Sequence, residues 1–239
     1  MDIEADILEI DALVEKAKQA QAVYEAQGSQ KTFDLACQAV AWALMKPEHN
    51  RSLSKLAVQK TGLGNAADKT RKNHNKTLGL LRDLKAVTAF GHVEDNAETG
   101  LSTYLRPKGV IASIVPSTNP LATPVNNIIN ALKCGNAIII APSPKGAEPF
   151  ATLLTFIHQN LRSIGLNPDL VQMVPMPPSK AKTQRLMELA DLLVVTGSQN
   201  NVRAGYSSGT PPPSAADVTA LDRALPDLPY ICSSLFCLQ

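Results

Sequence analysis

Residues Gly109 to Pro120 read GVIASIVPSTNP, and this stretch decides the fold. Val110 to Val115 form a continuous apolar run with no polar alternation beyond Ser113. Such a run suits a strand buried on both faces, as in a parallel sheet covered by helices. It stops at Pro116, and Ser117, Thr118 and Asn119 follow before Pro120. An ordinary turn needs only Gly, Asn or Asp. Here three hydrogen-bonding side chains sit at a strand end on a backbone stiffened from both sides.

Outward from this hook the pattern repeats. Strands are predicted at 137–140, 170–174 and 192–195, with helices at 124–132, 148–164 and 180–190 between them. Val- and Ile-rich strands separated by single helices make right-handed βαβ units and a parallel sheet. Towards the N-terminus, apolar residues at helical spacing predict helices over 3–26, 32–45, 50–61 and 67–84. Between these two parts, residues 87–105 alternate loosely around EDNAETG, which predicts a hairpin. Extended arms of this kind pair with another subunit. The expected fold is therefore α/β: an N-terminal helical segment, an incomplete parallel Rossmann-like nucleotide-binding sheet, and a β-hairpin oligomerisation arm. The expected divisions are 1–86 helical, 87–107 arm, 108–210 nucleotide-binding, and 211–239 a divergent tail. That tail carries Pro211 to Pro213, Pro226 and Pro229, has no lysine, and is expected to be disordered.

Bulk properties narrow the function. The chain has 239 residues, 44% hydrophobic and 18% charged, and a net charge of +2. That is long enough for a real core. The charge is too small to argue for nucleic acid or an anionic membrane. No apolar run reaches the length of a membrane span. The start, MDIEADILEIDALVEKAK, lacks the basic opening and apolar stretch of a secretory signal. Cys37, Cys134, Cys232 and Cys237 show neither metal-ligand spacing nor a disulfide framework. A cytoplasmic protein is the expectation.

Ligands of open α/β sheets bind outside the carboxyl ends of the strands. Three loops belong there: 116–120, 141–146 and 196–201. In the first, the Asn119 amide is suited to donating to a developing oxyanion; the alternative is a turn bonded to its own backbone. In the second, APSPKG, Pro142 and Pro144 are expected to hold the chain extended. Ser143 and Lys145 there are suited to a phosphate, or Lys145 is a solvated charge. In the third, Gly197 permits close approach of a ligand, and Ser198 opens a helix whose free N–H groups attract a phosphate. The alternative is a glycine turn with a serine cap.

GVIASIVPSTNPLATPVNNIINALKCGNAIIIAPSPKGAEP resembles the aldehyde dehydrogenase superfamily, and within it the CoA-acylating branch, which has Pro-Ser-Thr-Asn-Pro at this position. TGLGNAADKTRKN (61–73) and VVTGSQNNVRAGYSSGTP (194–211) are similar to further segments of that family, in the family's order. KNHNKTLGLLRDLK and APSPKG look most like acylating sulfoacetaldehyde dehydrogenases. The resemblance implies attack of a Cys thiolate on a small aldehyde, hydride transfer to NAD or NADP, and passage of the acyl group to coenzyme A in a homo-oligomer. It assigns Asn119 to the oxyanion. Pro116, Ser117 and Thr118 fall beside the nicotinamide, Ala141, Ser143 and Lys145 at the adenosine ribose, and Gly197 and Ser198 near the pyrophosphate.

Two departures stand out. Ala141 and Pro144 replace the Lys and Glu that ordinary members carry in the adenosine loop, which implies that NADP is accepted. After Tyr206-Ser207-Ser208-Gly209 the family continues towards its nucleophilic cysteine, whereas here the proline-rich tail follows. The expectation is an enzyme by family whose chain lacks the nucleophile. The alternative is a non-catalytic nucleotide-binding or oligomer-forming fragment.

Overall fold

A computed structural model describes residues 3–210. The proposed tail, with Cys232 and Cys237, lies outside them.

Four helices come first. α1 (Ile3–Gln27) buries Ile10, Val14, Ala17, Ala20 and Tyr24 along one face. α2 (Gln30–Met45) is capped by Ser29, whose Oγ accepts from Thr32 N at 3.2 Å. α3 (Pro47–Thr61) starts on Pro47, where the missing N–H costs nothing. It ends on Gly62 in the left-handed region, φ 69°. α4 (Ala66–Leu84) is capped by Asn65, whose Oδ1 accepts from Asp68 N at 2.8 Å.

The hairpin follows as β1 (Gly91–Asn96) and β2 (Leu101–Leu105), an antiparallel pair. It is almost wholly exposed, with Leu101 at 66% and Tyr104 at 59%.

The sheet has four strands: β3 (Val110–Val115), β4 (Ala137–Pro142), β5 (Val171–Met173) and β6 (Leu192–Val195). Their order is β5-β4-β3-β6, all parallel. Between them run α5 (Ala122–Lys133), α6 (Pro144–Ser163) and α7 (Lys180–Leu189), and α8 (Gln199–Ser207) leaves β6. The steps β3 to β4 and β4 to β5 go one way, and β5 to β6 goes back across the sheet. Right-handed crossovers therefore put α5 and α6 on one face and α7 on the other. The packing agrees: α2 lies on α5 and α6, while α1 lies along α7 and touches β3, β4 and β5. Every residue of β3 and β4 is buried, which explains their unbroken apolar runs.

The entry to β3 is locked by side chains distant in sequence. Asp191 Oδ2 accepts from Val110 N at 2.8 Å, and Asn136 Oδ1 accepts from Gly109 N at 3.0 Å. Gly109 has φ 126°, and a Cβ there would lie 2.3 Å from Asp191 Oδ2. Only glycine fits.

Three expectations need correction. The 141–146 segment is not an extended loop: β4 runs through Pro142 and α6 begins at Pro144, leaving Ser143 alone as the junction. Pro144 sits in the first turn, where its fixed φ is already helical, so it starts the helix. For the same reason α5 takes in Pro124 and begins at Ala122. The strand expected at 170–174 shortens to Val171–Met173, because Pro168–Leu170 form a 3₁₀ turn.

Candidate nucleotide and carbonyl site

β4, β3 and β6 are adjacent, so their three following segments share one edge of the sheet. β3 is also where the strand order reverses, between the step to β4 and the return to β6. Such a switch point opens a crevice at the carboxyl edge.

The β3 segment is a turn, 117–121, leading into α5. Asn119 is partly exposed, and its amide makes no hydrogen bond with any described residue. The self-bonded turn is therefore absent among the described residues. Pro120 is buried and packs on the start of α6: a Cβ at Gly146 would lie 3.0 Å from Pro120 Cβ and 3.1 Å from Ser143 Oγ. Gly146 thus brings the β3 and β4 segments together.

Ser143 Oγ is buried without a hydrogen-bond partner among the described residues, although Ser143 stands at the N-cap of α6. A buried hydroxyl left unpaired costs about 1–3 kcal/mol, and Thr77 Oγ1 and Asn126 Oδ1 are likewise without a partner among the described residues; Ser143 Oγ is the one of the three on this edge. Lys145 is exposed in the first turn of α6 and makes no ion pair with a described residue. Glu148, the nearest acid on that helix, is held by Lys60 at 2.6 Å.

At β6, Gly197 has φ 154°, and a Cβ there would approach Asn201 Nδ2 to 3.0 Å. Ser198 occupies the cap position of α8 without a side-chain capping bond. The first hydrogen bonds of α8 run from Asn201 N and Val202 N to Ser198 O, at 3.0 and 3.2 Å. The amides of Gln199 and Asn200 lie ahead of them, aimed out of the helix start. Gly205 lets α8 lie close on β6, since a Cβ there would lie 3.0 Å from Val195 Cγ2. The unpaired Ser143 hydroxyl, the α8 amides and the free Lys145 are a donor set that fits the sugar and phosphates of a dinucleotide.

A further group joins this edge that sequence reasoning missed. Lys69, on the first turns of α4, places Nζ 3.5 Å from Thr118 O.

The two described cysteines lie elsewhere. Cys134 is at the far end of α5 from the hook, twelve residues of helix or about 18 Å away. Desolvation pushes its thiol up to about 11. Cys37 is buried, its Sγ donates to Ile129 O at 3.3 Å, and burial raises its thiol further still. Both stay protonated at neutral pH, and the thiolate is the nucleophile. A groove of about 620 Å³ between α3 and α4, lined in part by Arg51, Lys55, Arg71 and His74, includes none of the three segments. Among the described residues no cluster of metal-ligating side chains occurs, and no helix is long and apolar enough to cross a membrane.

The fold is an open α/β protein with a parallel sheet whose order reverses at β3. Residues 4–209 match the aldehyde dehydrogenase family, and the chain belongs to it. It is 55% identical over 202 residues to the acylating sulfoacetaldehyde dehydrogenase of Cupriavidus necator, covering 84% of this chain and 41% of that enzyme. The crystal structure of an acetylating aldehyde dehydrogenase from Geobacillus thermoglucosidasius superposes with a TM-score of 0.82 at 31% identity, over 89% of this chain and 46% of that one. An engineered glycolyl-CoA reductase with bound NADP+ superposes with a TM-score of 0.73 at 29% identity, over 86% and 46%. The chain therefore spans under half the length of these relatives.

Proposed function

We propose that this chain is the coenzyme-binding part of an acylating aldehyde dehydrogenase that takes NADP and oxidises a small aldehyde, sulfoacetaldehyde above others, to its coenzyme A thioester. The 55% identity to an acylating sulfoacetaldehyde dehydrogenase carries the substrate and coenzyme A. The unpaired donors around Ser143, Lys145 and the α8 start carry the coenzyme.

The roles divide by strand. Gln199 and Asn200 amides at the α8 start receive the pyrophosphate beside Gly197 and Ser198. Ser143 and Lys145 receive the adenosine ribose at the end of Ala141-Pro142. Pro116, Ser117 and Thr118 wall the nicotinamide, which supplies the hydride acceptor. Asn119 donates to the aldehyde oxygen as negative charge develops there. The hairpin of β1 and β2, with its exposed Leu101 and Tyr104, joins subunits of a homo-oligomer.

Coenzyme choice follows from charge. A carboxylate at the ribose would repel a 2′-phosphate, and Glu148 is turned to Lys60 at 2.6 Å. Lys145 is free to pair with that phosphate. A charge-assisted contact contributes about 1.5–3 kcal/mol. Lys145→Ala is therefore expected to weaken NADP+ binding roughly 10- to 100-fold and to change NAD+ binding little. Calorimetric titration of both coenzymes into the chain tests this. Tight NAD+ binding with none for NADP+ would refute the assignment.

A further inference from the structure

Lys69 stands beside the hook with no acid of the described residues paired to it. Its nearest acidic neighbour in sequence, Asp68, is occupied: Oδ1 takes Arg71 at 2.5 Å and Oδ2 takes Asn65 Nδ2 at 2.6 Å. Lys69 itself forms no ion pair with a described residue. Its one polar contact among the described residues, 3.5 Å to Thr118 O, is long for a hydrogen bond but short enough to orient an ammonium. Two of its three N–H donors are left over. Partial burial and the positive charge of Lys72 both lower its pKa. A partly buried cation near another cation, with no described acid paired to it, carries a small cost that an anionic ligand would offset.

The position is specific. The Thr118 carbonyl is bonded to the nitrogen of Asn119, so Nζ, at 3.5 Å from that oxygen, lies within about 6 Å of Asn119 Cα. If the Asn119 amide holds an aldehyde oxygen, the ammonium is the nearby cation for a charged group one methylene away from the carbonyl.

We infer that Lys69 is a specificity residue that binds the anionic end of a short aldehyde, a sulfonate or its carboxylate counterpart, while Asn119 holds the carbonyl oxygen. This rests on the assignment of Asn119 made above. Lys72 supports Lys69 through its field and is not itself a ligand.

The test uses the 239-residue chain, isotopically labelled, and follows the side-chain amide resonance of Asn119. The probes are ethanesulfonate, the neutral ethyl methyl sulfone, and inorganic phosphate, with NADP+ titrated separately. Ethanesulfonate is expected to shift the resonance saturably and the sulfone to leave it unmoved. Lys69→Met should weaken the ethanesulfonate response about 10-fold or more, and Lys69→Arg and Lys72→Met should keep it within about threefold. NADP+ affinity should be equal in the parent chain and Lys69→Met. An unchanged ethanesulfonate response in folded Lys69→Met overturns the inference. So does a loss of NADP+ affinity in that variant, or tighter binding of phosphate than of ethanesulfonate, since either assigns Lys69 to the coenzyme. Failure of the parent chain to bind NADP+, with the ethanesulfonate response intact, overturns the coenzyme reading and supports the Lys69 assignment.

Discussion

Asn119→Ala, in a catalytically active form of this protein, is expected to lower kcat by about 10²–10³-fold, or roughly 3–4 kcal/mol of transition-state stabilisation. NADP+ affinity should stay within about twofold. The reason is geometric. The Asn119 amide has no hydrogen-bond partner among the described residues, so its removal breaks no contact that holds the fold. The hook is braced instead by Pro116 and by buried Pro120 against Gly146. An interaction made only as charge develops on the carbonyl oxygen appears in kcat and leaves KM nearly constant. Steady-state kinetics beside coenzyme calorimetry checks this. A variant that loses coenzyme binding and turnover together would place Asn119 in the scaffold.

The largest effect on stability is expected at Phe33. It is fully buried on α2, with its ring 4.6 Å from that of Tyr24 and 5.0 Å from Phe90. Gly28 and Gly135 both press against it: a Cβ at either would lie 2.3 or 3.0 Å from the ring. Phe33 therefore joins the α1–α2 connection, the approach to the hairpin, and the turn between α5 and β4. Phe33→Ala removes a side chain that the surrounding turns cannot collapse around. The expected loss is about 3–5 kcal/mol, set against a typical total of about 5–15 kcal/mol. Urea unfolding should show a lower midpoint with an unchanged slope. A midpoint near that of the parent chain would mean that these turns are not held through this ring.

Much of this architecture was legible because burial writes itself into sequence. β3 and β4 are covered on both faces, so VIASIV and AIII read as strands without any alternation. The order of helices and strands, with the rule of right-handed crossovers, then gathers the hook, Ser143 and Gly197 at one edge. The start of α6 was misread for a local reason. Pro144 is equally at home in extended chain and in a first helical turn, and only the packing of Gly146 on Pro120 decides between them. Lys69 was not legible at all. It lies 49 residues before Thr118, and its own helix carries many lysines and arginines that point to solvent. The locks on Gly109 from Asn136 and on Val110 from Asp191 are of the same kind: single side chains brought in from 27 and 81 residues away. A hydroxyl such as Ser143 Oγ becomes informative only once its surroundings show that no described residue bonds it.

The central claim is that the segments after β3, β4 and β6 together form the coenzyme cradle. Hydrogen exchange with and without saturating NADP+ tests it most directly. Slower exchange is predicted at the amides of 117–122, 143–147 and 197–201 together, with little change at the hairpin of β1 and β2. No change at those amides, or protection confined to the groove between α3 and α4, would contradict it.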